Sequence, residues 1–115
     1  MTQNRNNFIE VFIGNISNAI VHEILEKSIK QDFLVDKYRK ELLNSLEIAK
    51  RYRDKINPTN KELPNKDIIY IRGKIINRVK SELLTRINKG YQNIDLSLIE
   101  TLVNKTLINT KIKQS

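Results

Sequence analysis

The chain has 115 residues, no cysteine, one histidine and a net charge of +8 from 21 Lys+Arg against 13 Asp+Glu. That length suits one domain able to bury its own core, and the absence of cysteine excludes disulfides and thiolate metal sites. No uninterrupted apolar run approaches the roughly 18 residues of a membrane span. The polar start lacks the layout of a signal peptide, so a cytoplasmic location is expected.

Residues 1–6 are polar and expected to be loose. Residues 8–29 read as a helix with Ile9, Phe12, Ile13, Ile16 and Ile20 on one face and Val21, Leu25 and Ile29 on another. Two faces mean burial on two sides or a break at Gly14-Asn15, with 8–13 then extended. We favour a continuous or kinked helix.

Asp32 is placed to cap a second helix of about 25 residues. Val35, Leu42, Ala49 and Ile56 recur every seven residues, as do Tyr38, Ser45 and Tyr52, and Leu46 widens this packing seam. Asp36–Lys40 and Glu47–Arg51 are spaced as i,i+4 ion pairs. Asn57-Pro58 ends the helix, since proline disfavours helical geometry in the residue before it. Residues 57–66, with two prolines, form a linker.

Asp67 is expected to cap a third helix with an apolar face of Ile68, Ile69, Ile75, Ile76, Val79, Leu83 and Ile87. Gly90 stands at its C-terminal cap. Asp95 is expected to cap a fourth helix, with Ile94 and Ile99 as a hydrophobic staple; Ser97–Glu100 is a competing capping box. Leu98, Ile99, Leu102, Val103 and Leu107 form its stripe. Residues 111–115 read as a loose basic tail. The pattern implies an all-α, single-domain bundle of about four helices, two of them long. The heptad row also allows self-association.

Residues His22 to Glu26 look like half of a zinc-protease helix, but a glutamate stands where the second histidine belongs. Glu23–Lys27 and Glu26–Lys30 are better read as surface ion pairs. No nucleophile, phosphate loop or carboxylate–histidine set is present, so no enzyme, cofactor, metal or small-molecule substrate is expected.

The charge is uneven. Residues 68–89 hold six Lys/Arg against the single acid Glu82. On a helical wheel Lys74, Arg78 and Lys89 point away from the apolar stripe and Lys80 lies on a flank. Arg72 and Arg86 fall inside the stripe, so each must snorkel, pair across the bundle or meet a ligand. A second basic cluster, Lys50, Arg51 and Arg53, sits at the end of the second helix, where the helix dipole alone favours cations. Tyr70 is the best-placed aromatic for stacking on a base. The expected function is a non-catalytic accessory protein of DNA or RNA processing. It would bind nucleic-acid backbone through Lys50, Arg51, Arg53, Arg72, Lys74, Arg78 and Lys80. The alternative is a protein-interaction subunit or homo-oligomeric adaptor. No membrane contact is expected, because the basic helices lack the aromatic, Leu-rich face it requires.

Overall fold

The computed structural model describes residues 2–28, 32–57 and 61–114, without the side chains of residues 2, 3, 32 and 33. Among these, the chain is all-α: α1 Thr2–Ser28, α2 Asp32–Ile56, α3 Asn65–Asn88 and α4 Leu98–Asn109, with no strand. This is the four-helix architecture that the periodicity implies, and α3 is as long as its two predecessors. The Asp32 side chain, expected to cap α2, and Pro58, expected to stop it, fall outside what the structure describes, although α2 does begin at Asp32 and end at Ile56.

Helix α1 is the centre of the molecule. It runs unbroken through Gly14-Asn15 and spans roughly 40 Å at 1.5 Å per residue, nearly the whole 44 Å long axis. Its two apolar faces are both used, with Ile29 of the second face outside the described residues. Phe12, Ile13, Ile16, Ile20, Val21, Ile24 and Leu25 are all buried, because α2, α3 and α4 each pack on it. Between Asn4 and Ser28 it is long and apolar enough by composition to cross a bilayer; in the fold its apolar residues meet the other helices instead. Such a helix needs no polar face of its own except where neighbours leave it open.

Helix α2 lies antiparallel to α1. Phe8 meets Tyr52 at one end, and His22 meets Tyr38 at the other. The heptad rows form this seam, with Ala49, Ile56 and Ser45 buried. Glu26 pairs with Arg39 of α2, whereas its expected partner Lys30 lies outside the described residues. Neither Glu23–Lys27 nor Asp36–Lys40 closes into an ion pair; Glu47–Arg51 does, at 3.6 Å.

Helix α3 runs parallel to α1, and α4 folds back antiparallel to α3. Its buried residues are Ile71, Ile75, Val79 and Leu83, one i,i+4 ridge set into α1. The expected face was rotated: Ile71 is fully buried and Ile69 is 64 % exposed.

Three end effects differ from expectation. The polar start is helical from Thr2, because Arg5 reaches across to Asp67 at 2.7 Å. Asp67 therefore holds α1 instead of capping α3, which begins two residues earlier, inside the expected linker. Pro64 precedes it, and its carbonyl accepts from the Asp67 amide at 2.9 Å and the Ile68 amide at 3.1 Å. Asp95 likewise does not cap α4. It accepts from the amide and hydroxyl of Ser97, which occupies the cap position without a side-chain cap bond.

The C-terminal caps of α3 and α4 are both Schellman turns. Gly90 has φ +101°; its amide donates to the Ile87 carbonyl at 3.0 Å and that of Tyr91 to Arg86 at 3.1 Å. After α4, Lys111 takes the same left-handed geometry with φ +62°. Its amide donates to Ile108 at 3.0 Å and that of Ile112 to Leu107 at 2.9 Å. Ile112 is fully buried and its carbonyl accepts from the Leu63 amide at 3.1 Å. The segment expected as a loose tail is thus anchored at Ile112.

Candidate nucleic-acid interface

The backbones of α2 and α3 nowhere come close, because α1 lies between them. The two basic clusters therefore form no single patch by direct approach. Each expected contact residue has its own fate.

Arg53 is the clearest correction. It is only 2 % exposed and its donors are committed to the chain itself. Nε donates to the Thr110 carbonyl at 3.0 Å, and Nη2 to the carbonyls of Lys61 at 2.7 Å and Lys111 at 2.8 Å. Carbonyls left over at the end of α4 recruit a buried cation. Burial lowers its pKa, which nearby Asp54 partly offsets. Arg53 offers nothing to a phosphate.

Arg51 is exposed and carries the Glu47 pair. Lys50 is exposed but leaves α2 toward α4, where it faces Lys105 across a groove. Arg72 is half-buried on the α4 side of α3, where its Nε donates to Asn104 Oδ1 at 2.9 Å. Arg86 pairs with Glu82 of its own helix at 3.1 Å. Neither arginine in the apolar stripe meets an acid of another helix. Lys80 is exposed on the outer flank of α3.

Lys74 and Arg78 remain, and they are brought together. Both are exposed, on the edge of α3 beside α1. The Arg78 guanidinium lies over Gly14, with Nη1 3.6 Å from where a Cβ would stand. Lys74 Nζ sits 5.7 Å from the Tyr70 ring centre. Tyr70 itself donates to Glu10 of α1, which raises its pKa, so the ring is held by neighbours on two sides.

The surface these residues overlook is the open side of α1. Asn7 and Asn18 are exposed, and Val11, Gly14 and Asn15 half-exposed, along the strip that α2 and α3 leave uncovered. Its amides flank Val11, and Gly14 leaves it shallow; carboxylates stand at its edges, Glu10 on the α3 side, held by Tyr70, and Glu41 of α2, 2.6 Å from His22 Nε2, one turn beyond Asn18. Lys55 stands at the α2 edge, with Nζ 4.7 Å from the Tyr52 ring centre and 5.5 Å from that of Phe8. It lies two residues, about 200° of helix, beyond Arg53, which carries it to the opposite flank. At the far end the channel is bridged by Tyr38 of α2, which neighbours Tyr91 and Arg86. Sequence reasoning missed this floor. The signal was present as Asn7, Asn15 and Asn18 recurring at helical spacing among the apolar residues of α1.

No family model, curated protein or solved structure matches the chain.

Proposed function

We propose that this protein is a non-catalytic, cytoplasmic accessory protein of DNA or RNA processing that holds nucleic-acid backbone along the open side of α1. The observation that supports it is the placement of Lys55, Lys74 and Arg78. They come from two helices, are exposed, have no carboxylate partner among the described residues, and overlook the exposed amides of Asn7 and Asn18, while Asn15 Nδ2 donates to the Val11 carbonyl at 2.9 Å. Amides and unpaired cations suit phosphate and sugar oxygens without reading sequence. Lys80, farther round α3, extends the positive field.

Fluorescence anisotropy with labelled single- and double-stranded oligonucleotides tests this reading. Three neutralised phosphates give a slope near −2.7 in log–log salt dependence on duplex. That is roughly a 40-fold loss of affinity between about 50 and 200 mM salt. Lys74→Glu with Arg78→Glu abolishes most of the binding, whereas Lys50→Glu leaves it nearly unchanged. No binding at low salt, or binding without salt dependence, rules the reading out.

An assembly role, with other proteins or as a homo-oligomer, is the second reading. It is supported by the register that Arg72–Asn104 sets between α3 and α4. That register brings Ile69, 64 % exposed, level with Ile108, 37 % exposed. Light scattering across a concentration series separates a self-associating chain from a monomer.

A further inference from the structure

Helix α1 is flanked by a second trough, of opposite character. Helices α2 and α4 both pack on α1 without close approach of their backbones, and the space between them is open. Its main part is about 470 Å³, between Glu23, Glu26 and Lys27 of α1, Leu42 and Leu43 of α2, and Leu102 and Lys105 of α4. It continues into a further 150 Å³ over Ala19 and Ile20, beside Leu46 and Lys50. Arg53 closes this end by tying α2 to the chain beyond α4. Ala19 and Ile20 are buried beneath it, and Leu43 stands 57 % exposed at its rim.

The lining is apolar at the floor and charged at the rim. Four cations, Lys27, Arg39, Lys50 and Lys105, meet two carboxylates, Glu23 and Glu26. Arg39 already neutralises Glu26. Lys27 of α1, Lys50 of α2 and Lys105 of α4 have no carboxylate partner among the described residues and surround the trough, against one carboxylate, Glu23, that is likewise in no ion pair. From Arg39 to Lys50 the trough runs roughly 17 Å, about three turns of helix. A polyanion has no use for a leucine-lined floor, and a second copy of a +8 chain would set cation against cation.

We propose that the α2–α4 trough docks an acidic amphipathic helix of about three turns from a partner protein. Leucine-type side chains at i, i+3, i+4 and i+7 would lie on Leu42, Leu43 and Leu46. Glutamates or aspartates along both edges would pair with Lys27, Lys50 and Lys105. The site is independent of the channel assigned to nucleic acid, because it lies on the other flank of α2.

The test uses three labelled 14-residue synthetic peptides with the full-length protein. One carries leucines at that spacing among glutamates, one is its scrambled version, and one has lysine for every glutamate. Binding is read by anisotropy and mapped by amide NMR shifts. The acidic amphipathic peptide binds and shifts the amides of Leu42, Leu43 and Lys105. Leu43→Glu and Lys105→Glu, both at exposed positions that fold normally by circular dichroism, each weaken it about tenfold or more. Lys74→Glu leaves it unchanged. Equal binding of the lysine or scrambled peptide, shifts that map elsewhere, or no binding overturns the proposal. So does oligonucleotide binding that shifts these same amides, or self-association that Leu43→Glu abolishes.

Discussion

Arg53 shows how the setting of one residue decides its role. A guanidinium can satisfy several carbonyls at once because its donors are fixed in a plane. Here three carbonyls from two distant segments converge on it, and only Nη1 is left without a partner. Lysine carries the charge without that geometry. Arg53→Lys is expected to lower stability by roughly 2 kcal/mol and Arg53→Ala by roughly 3. Urea unfolding measures both, and nucleic-acid affinity of the folded fraction stays the same. A loss of affinity at unchanged stability would return Arg53 to the binding surface. Ser17 is the converse case. It is 1 % exposed, and its hydroxyl has no hydrogen-bond partner. An unmet buried hydroxyl is costly and alanine is the better helix former, so Ser17→Ala should raise stability by about 1 kcal/mol in the same measurement.

At the scale of the helices, ends are where side chains and backbone compete. Lys111 adopts φ +62° because the turn after α4 must reverse to bury Ile112. A side chain in that region costs about 1 kcal/mol or more, which glycine avoids. Lys111→Gly is expected to stabilise the fold by roughly 0.5–1 kcal/mol, seen as a higher urea midpoint at unchanged m-value. Ends are also where the sequence is hardest to read. The helix bodies were legible because burial imposes a 3.6-residue period, as in the Val35–Ile56 rows. The caps at Asp67 and Asp95 were not, because an aspartate before an apolar run looks the same whether it caps, pairs with Arg5 or turns on Ser97. The site was partly legible for a similar reason. Local spacing identified Lys74 and Arg78 as outward-facing. It carried no sign that Arg53 would be claimed by carbonyls 57 residues away.

Tyr38 of α2 meets Tyr91, just beyond α3, and stability through that contact is expected to depend on pH. Burial raises the Tyr38 pKa above its ordinary value of 10.0, and the neighbouring Tyr91 adds to it. The folded state therefore holds the phenolic proton more tightly than the unfolded chain. The resulting stability is fully present below pH 10 and lost as pH rises through the folded value. Between about pH 9 and 11 the parent protein should lose more stability than Tyr38→Phe, compared by denaturation at matched salt. An equal loss would mean the contact carries no linkage.

For the whole molecule, everything depends on α1. Helices α2, α3 and α4 each pack on it; α2 packs on no other helix, and α3 and α4, which also meet each other, bury their remaining apolar face against it. The ridge Ile71, Ile75, Val79 and Leu83 is buried chiefly because α1 lies beside it, and both candidate surfaces are the parts of α1 left uncovered, with their walls. The polar strip with Lys55, Lys74 and Arg78 lies on one flank of α2, and the apolar trough under Leu43 on the other. Such a plan leaves little room for one half to fold before the other. Unfolding in urea should be a single transition with coincident midpoints by circular dichroism and tyrosine fluorescence. A fragment of residues 61–115, with that ridge uncovered, should show little helix on its own. Two separated transitions, or a stably helical fragment, would mean that α3 and α4 hold a core independent of α1. The two surfaces would then belong to separate units instead of sharing one central helix.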